Sequence, residues 1–155
     1  MLPIPRPSWR ALFLGAVLLC GSRPAPATAA HGIAVIVGRE TGAMALDRRQ
    51  LALIYLRKRQ FWDNGMRVTP VNLPAAHPIR RAFSLAVLDH TPDEMDDFWR
   101  QQYFHGELPP YVAGSEEAAI RFVEATPGAV AYVSACSVDK RVFVVLTVGE
   151  DTTCP

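Results

Sequence analysis

Val68 to Val87 reads V-T-P-V-N-L-P-A-A-H-P-I-R-R-A-F-S-L-A-V, and the order of residue types within it decides the fold. An apolar, strand-like segment is broken at Pro74, and a short turn follows. Pro78 then opens a pattern in which Ile79, Phe83, Ala86 and Val87 fall at i, i+4, i+7 and i+8, one apolar face of a helix. His77 stands where an N-cap belongs, and proline suits the first helical position because its missing N–H would be unpaired there anyway. A strand that passes through a turn into a helix start aims free N–H groups beyond the strand end, where α/β proteins hold anions. The candidate ligand-binding residues are therefore Asn72 at the strand end, His77, Ile79 and Arg80 through their N–H groups, and the side chains of Arg80 and Arg81.

Working outward, Gly32 to Gly38 is an apolar run bounded by glycines, as expected of a strand covered on both faces. Asp47 can cap a helix whose stripe is Leu51, Ile54 and Tyr55, widened by Leu53 and Leu56. Arg57, Lys58 and Arg59 close it, where the macrodipole favours cations. Asp63-Asn64-Gly65 is a turn tolerant of positive φ, and Pro70 within the strand Met66 to Asn72 predicts an edge position or an irregularity.

On the other side, Thr91 and Glu94 form a capping box around Pro92, ahead of a helix that buries Met95, Phe98 and Trp99. Asp93, Glu94, Asp96 and Asp97 read as first-turn carboxylates rather than a metal cluster, because calcium-loop spacing is absent. Gln101 to Pro110 reads as a loop rich in aromatics. Ser115 caps a helix with Ala119, Phe122 and Val123 on its core face, ended by Thr126-Pro127-Gly128. Ala129 to Val133 and Val142 to Val148 are further strands. The order strand, helix, strand, three helices, strand, strand predicts an α/β domain with a layered mixed sheet and flanking helices.

The first 30 residues have a different character. Arg6 and Arg10 precede the apolar run Ala11 to Cys20, and the segment Gly21 to Ala30 is small, polar and proline-containing, the order of a secretory signal. The expected division is 1–30 as signal and 31–155 as one domain, in a periplasmic or secreted protein. Ala27-Thr28-Ala29 places the cut after Ala29, or one residue later after Ala30; the alternative is lipidation at Cys20, although Leu19 stands where a small residue normally precedes it. The apolar run is about half of the roughly 20 residues needed to span a bilayer, so no stable membrane span is expected. Without Arg6, Arg10 and Arg23 the 16 basic side chains fall to 13 against 15 acidic ones, a formal charge of −2. That balance excludes the positive field of a nucleic-acid binder.

Cys136 and Cys154 remain after the cut and are expected to form a disulfide in an oxidising compartment; a reactive or metal-binding pair would need nearby histidine or C-x-x-C spacing. Serine, cysteine and histidine form no nucleophile-elbow, zinc-helix or glycosidase pattern, so no enzyme activity, metal or cofactor is expected. One arrangement stands apart: a cut after Ala30 would make His31 the N-terminal residue, whose amine and imidazole can chelate copper.

The phrases A-L-I-Y-L-R-K-R-Q-F-W-D-N-G, V-T-P-V-N-L-P, R-R-A-F, F-W-R-Q-Q-Y-F-H-G-E-L-P-P and V-E-A-T-P-G-A-V-A-Y-V follow one another between Ala52 and Val133. In that order, and with the strand from Gly32, they resemble the phosphate-type periplasmic solute-binding proteins, in particular short phosphate transporter substrate-binding-like ones. The resemblance implies one lobe of a type 2 periplasmic-binding-protein fold and a non-enzymatic protein that binds phosphate or another small oxyanion at a helix N-terminus. With one lobe present, a homodimer or a transport or sensing partner would complete the pocket. The family's phosphate binders carry an arginine and a serine-glycine-threonine turn at the helix start; here the turn is Leu73-Pro74-Ala75-Ala76-His77-Pro78, without the hydroxyls or the glycine. The alternative is a periplasmic interaction protein that keeps the lobe without small-ligand binding and uses Tyr103, Phe104, His105, Leu108 and Tyr111 as its surface, residue types that ordinarily pack beneath a loop.

Overall fold

The structure, a computed structural model, describes residues 32–42, 44–149 and 154. The expected export signal, Cys20 and His31 lie outside the described residues. Along the chain run β1 (Ile33–Gly38), α1 (Arg48–Tyr55), β2 (Thr69–Asn72), α2 (Pro78–Phe83), a π-helical turn (Ser84–Leu88), α3 (Pro92–Tyr103), β3 (Tyr111–Val112), α4 (Glu116–Ala125), β4 (Ala129–Ser134), a 3-10 turn (Ala135–Ser137) and β5 (Val142–Val148).

The five strands form one mixed sheet in the order β3-β2-β4-β1-β5. β2 runs parallel to both β3 and β4, while β1 is antiparallel to β4 and β5. β1 and β4 are buried at every residue, which is why both read as unbroken apolar runs. The carboxyl ends of β2 and β3 lie side by side, and the chain leaves them toward the starts of α2 and α4.

The helix starts carry the caps their sequences call for. Asp47 and Gln50 close a capping box on α1, and Thr91 and Glu94 close one on α3. The bond from the Thr91 N–H holds the Glu94 carboxyl below the usual carboxylate range. Ser115 accepts from Ala118 N–H at the start of α4. Arg141 grips Glu117 through two bonds of 2.9 and 2.7 Å and also binds Asp139, tying the start of β5 to α4. Hydrogen bonding to that guanidinium lowers the Glu117 and Asp139 pKa values, so this clamp is fully formed above the ordinary carboxylate range and is lost as pH falls below that range, through the lowered values.

The structure departs from the sequence expectations at several places in the fold. β2 is an internal strand, not an edge; Pro70 is tolerated because β4 faces it while β3 begins only opposite Val71. Leu53 is exposed, since it sits about 200° around the helix from Leu51 and so points away from the stripe. α3 continues through Gln101, Gln102 and Tyr103, where Arg100 and the glutamines are good helix formers, before Gly106 at φ +79 turns the chain. The two-residue strand β3 lies within the stretch that follows, and nothing in its composition announces it.

Cys136 and Cys154 are joined by a disulfide. Cys136 follows β4 and Cys154 follows β5, and β1 lies between those strands, so the link spans the entry of β1 at one end of the sheet. A sequence separation of 18 residues makes its loss cost about 3 kcal/mol. Reduction, or paired Cys136→Ser and Cys154→Ser substitution, is expected to lower the urea-unfolding free energy by that amount, with the slope of the transition changing as the unfolded chain expands.

Candidate functional site

The site is built on three rings. Phe83 of α2 stacks on Tyr132 of β4 with centroids 3.7 Å apart and planes 7° from parallel, and Tyr55 of α1 packs against Phe83 at 4.7 Å. All three are fully buried. Burial pushes the Tyr55 phenol well up and raises the Tyr132 phenol too, so both remain neutral hydrogen-bonding groups. Tyr55 spends its proton on Val71 O at 3.0 Å.

The Tyr132 hydroxyl is the hinge of the polar part. It donates to Asn72 Oδ1 at 3.1 Å and accepts from Leu73 N–H at 3.2 Å and from Arg80 Nη1 at 3.4 Å. One donor and two acceptor lone pairs are thereby used up. The contact fixes the end of β2 relative to α2 and brings together Asn72 and Arg80, two of the residues singled out in the sequence.

Arg80 is the anomaly of the region. Only 7% of it is exposed, its Nε has no partner, and no carboxylate of the described residues pairs with it. A buried cation without a counter-charge is costly, by several kcal/mol in the usual case. Arg80 lines a cleft of about 200 Å³ whose walls include Asn72, Leu73, Asp96, Trp99 and Pro109. Asp96, on the cleft wall, is exposed, so water screens its charge.

The other expected ligand residues sit differently. His77 is the N-cap of α2, and its Nδ1 accepts the Ile79 N–H at 3.3 Å, so that N–H is already engaged. A ring nitrogen that accepts carries no proton, which puts the neutral imidazole's proton on Nε2, 3.8 Å from Glu116 Oε1. Glu116 Oε2 in turn accepts from Ser134 N–H at 2.7 Å, so this pair ties the starts of α2 and α4 to the end of β4. Arg81 is exposed and does not line the cleft that Arg80 lines. Of the two helix-start N–H groups singled out in the sequence, that of Ile79 is taken by His77, while the Arg80 side chain, in the first turn of α2, lies on the cleft wall.

Sequence reasoning missed Tyr132, Trp99, Asp96 and Pro109. Tyr132 had a signal: a tyrosine inside the fully apolar run Ala129 to Val133 must find a partner for its hydroxyl. Among the described residues no three of histidine, cysteine, aspartate and glutamate come together as a metal cage. No helix of the described residues is long and apolar enough to cross a membrane.

No protein-family model and no curated protein matches the chain. Solved structures do. A candidate phosphate ABC transporter substrate-binding protein with bound phosphate, from Clostridium perfringens, is 20% identical with a TM-score of 0.62, over 74% of this chain and 44% of that one. An ABC-type phosphate transport receptor from Vibrio cholerae is 21% identical with a TM-score of 0.59, over 74% of this chain and 45% of that one. The fold is that of a single lobe of a phosphate-type periplasmic-binding protein. PstS from Borrelia burgdorferi gives the same picture at 15% identity and a TM-score of 0.52, over 68% of this chain and 42% of that one. The lobe described here spans less than half the length of each of these proteins.

Proposed function

We propose that this is an exported, non-enzymatic solute-binding lobe that takes phosphate or another small oxyanion on Arg80, at the carboxyl ends of β2 and β3. The observation that carries the reading is the buried guanidinium with an unpartnered Nε and no counter-ion among the described residues. Arginine presents planar, forked donors that match an oxyanion, and an anion in the cleft would supply the charge that the protein does not. Because Asn72 turns its carbonyl oxygen to Tyr132, its amide NH2 is the donor left for a ligand. The likeness to phosphate-binding transport proteins supports the same ligand class. A homodimer, or a transport or sensing partner, would cover the open side of the cleft.

Two charge-assisted bonds in a cleft open to water give a dissociation constant of about 0.1 to 1 mM for phosphate. Arg80→Met is expected to weaken phosphate binding about 30-fold or more in calorimetric titration, the loss of one charge-assisted grip. The same substitution leaves the anion-free protein as stable as before or slightly more stable, since it removes an uncompensated buried charge. A variant that unfolds while the parent shows no heat with phosphate would mark Arg80 as a structural cation and contradict the reading.

The interaction-protein reading is favoured by one observation. Tyr103, Phe104, Leu108 and Tyr111 do not pack beneath a loop: they are 65%, 87%, 61% and 57% exposed, although Tyr111 stacks one face on Phe122 at 5.0 Å. Crosslinking in the periplasm tests it, and a monodisperse monomer that captures no partner contradicts it.

A further inference from the structure

The cleft around Arg80 does not close behind the anion position. Asp96, Trp99 and Pro109 line it and also line a second, larger depression of about 490 Å³, completed by Arg100 and Tyr103. The two therefore share a wall, with a buried cation at one end and aromatic surface at the other. Trp99 is mostly buried, while Tyr103 is 65% exposed.

Resting on the reading that Arg80 holds an oxyanion, we propose that the ligand is a phosphomonoester with a neutral apolar or aromatic body, the phosphate on Arg80 and the body along Trp99, Pro109 and Tyr103. Free phosphate occupies only the inner cleft and leaves the outer wall in water. A planar body laid against Trp99 and Tyr103 removes apolar surface from solvent on both sides of the contact. Arg100 on the outer wall is paired with Asp97, and both side chains are largely exposed, so the apolar and aromatic part of the wall is what the body of the ligand would cover.

The test is titration of the signal-free chain with inorganic phosphate, methyl phosphate and phenyl phosphate, read by calorimetry and by tryptophan fluorescence. Phenyl phosphate is expected to bind about 10-fold more tightly than the other two, from the extra apolar area it buries, and to change the fluorescence of Trp99. Tyr103→Ser is expected to reduce that preference to about 2- to 3-fold, and Arg80→Met to weaken binding of all three. Equal affinity for the three ligands would overturn the organic body and leave the oxyanion site standing. Phenyl phosphate binding that survives Arg80→Met would overturn both, as would the absence of binding by all three.

Discussion

Phe83→Ala lowers stability by about 3 to 5 kcal/mol, the usual cost of truncating a buried aromatic ring. Phe83 is fully buried, stacks on Tyr132 at 3.7 Å and touches Tyr55 at 4.7 Å, so its removal opens a hole between α1, α2 and β4 at once. The neighbours cannot fill it by collapsing. Tyr55 is held by Val71 O and Tyr132 by Asn72, Leu73 and Arg80, so moving either ring inward breaks buried hydrogen bonds. Phe83→Leu retains most of the volume and costs about 1.5 kcal/mol. Urea unfolding of both variants separates the cavity from the ring: a loss under 1 kcal/mol in the alanine variant would mean that the stack does not support the site.

Gly128→Ala is expected to be nearly as damaging, at about 4 kcal/mol, for two independent reasons. Gly128 lies at φ +80, a conformation that costs a residue with a Cβ about 1 to 2 kcal/mol. A Cβ built there would also lie 2.1 Å from Arg67 O, a backbone atom that cannot move aside without shifting the turn before β2. The position is a junction as well: its carbonyl accepts from Trp62 Nε1 and from Thr69 N–H at 3.0 Å each, and its N–H donates to Thr41 Oγ1 at 2.8 Å. Thermal unfolding checks the substitution. A midpoint within 2 °C of the parent would show that the turn relaxes freely.

The frame of this protein was legible because each helix start carries its own chemistry. Thr91 with Glu94, Ser115, and His77 before Pro78 mark caps that need no tertiary information, and the glycine-bounded run from Gly32 marks a central strand. β3 was not legible because two exposed residues, Tyr111 and Val112, are placed by pairing with Val71 and Asn72 rather than by their own pattern.

The site was half legible for the same kind of reason. Asn72 and Arg80 follow from their place at the end of the strand and the start of the helix. The distinction between Arg80 and Arg81 was also present in the periodicity: Arg80, Phe83 and Val87 lie at i, i+3 and i+7, which puts Arg80 on the buried face and Arg81 outside. His77 did cap the helix, and by doing so it consumed the Ile79 N–H that the helix start seemed to offer an anion. Trp99, Asp96 and Pro109 reach the cleft from α3 and the segment after it, a long-range placement that no local pattern carries.

In the proposed function an oxyanion completes the buried charge of Arg80. Crystals of residues 31–155 grown or soaked with selenate, a tetrahedral oxyanion that can be located by its anomalous scattering, test that reading. The expected result is a peak in the cleft within hydrogen-bonding distance of the Arg80 guanidinium and the Asn72 amide. An empty cleft at saturating selenate, or an Arg80 paired with a carboxylate of its own chain, would contradict it.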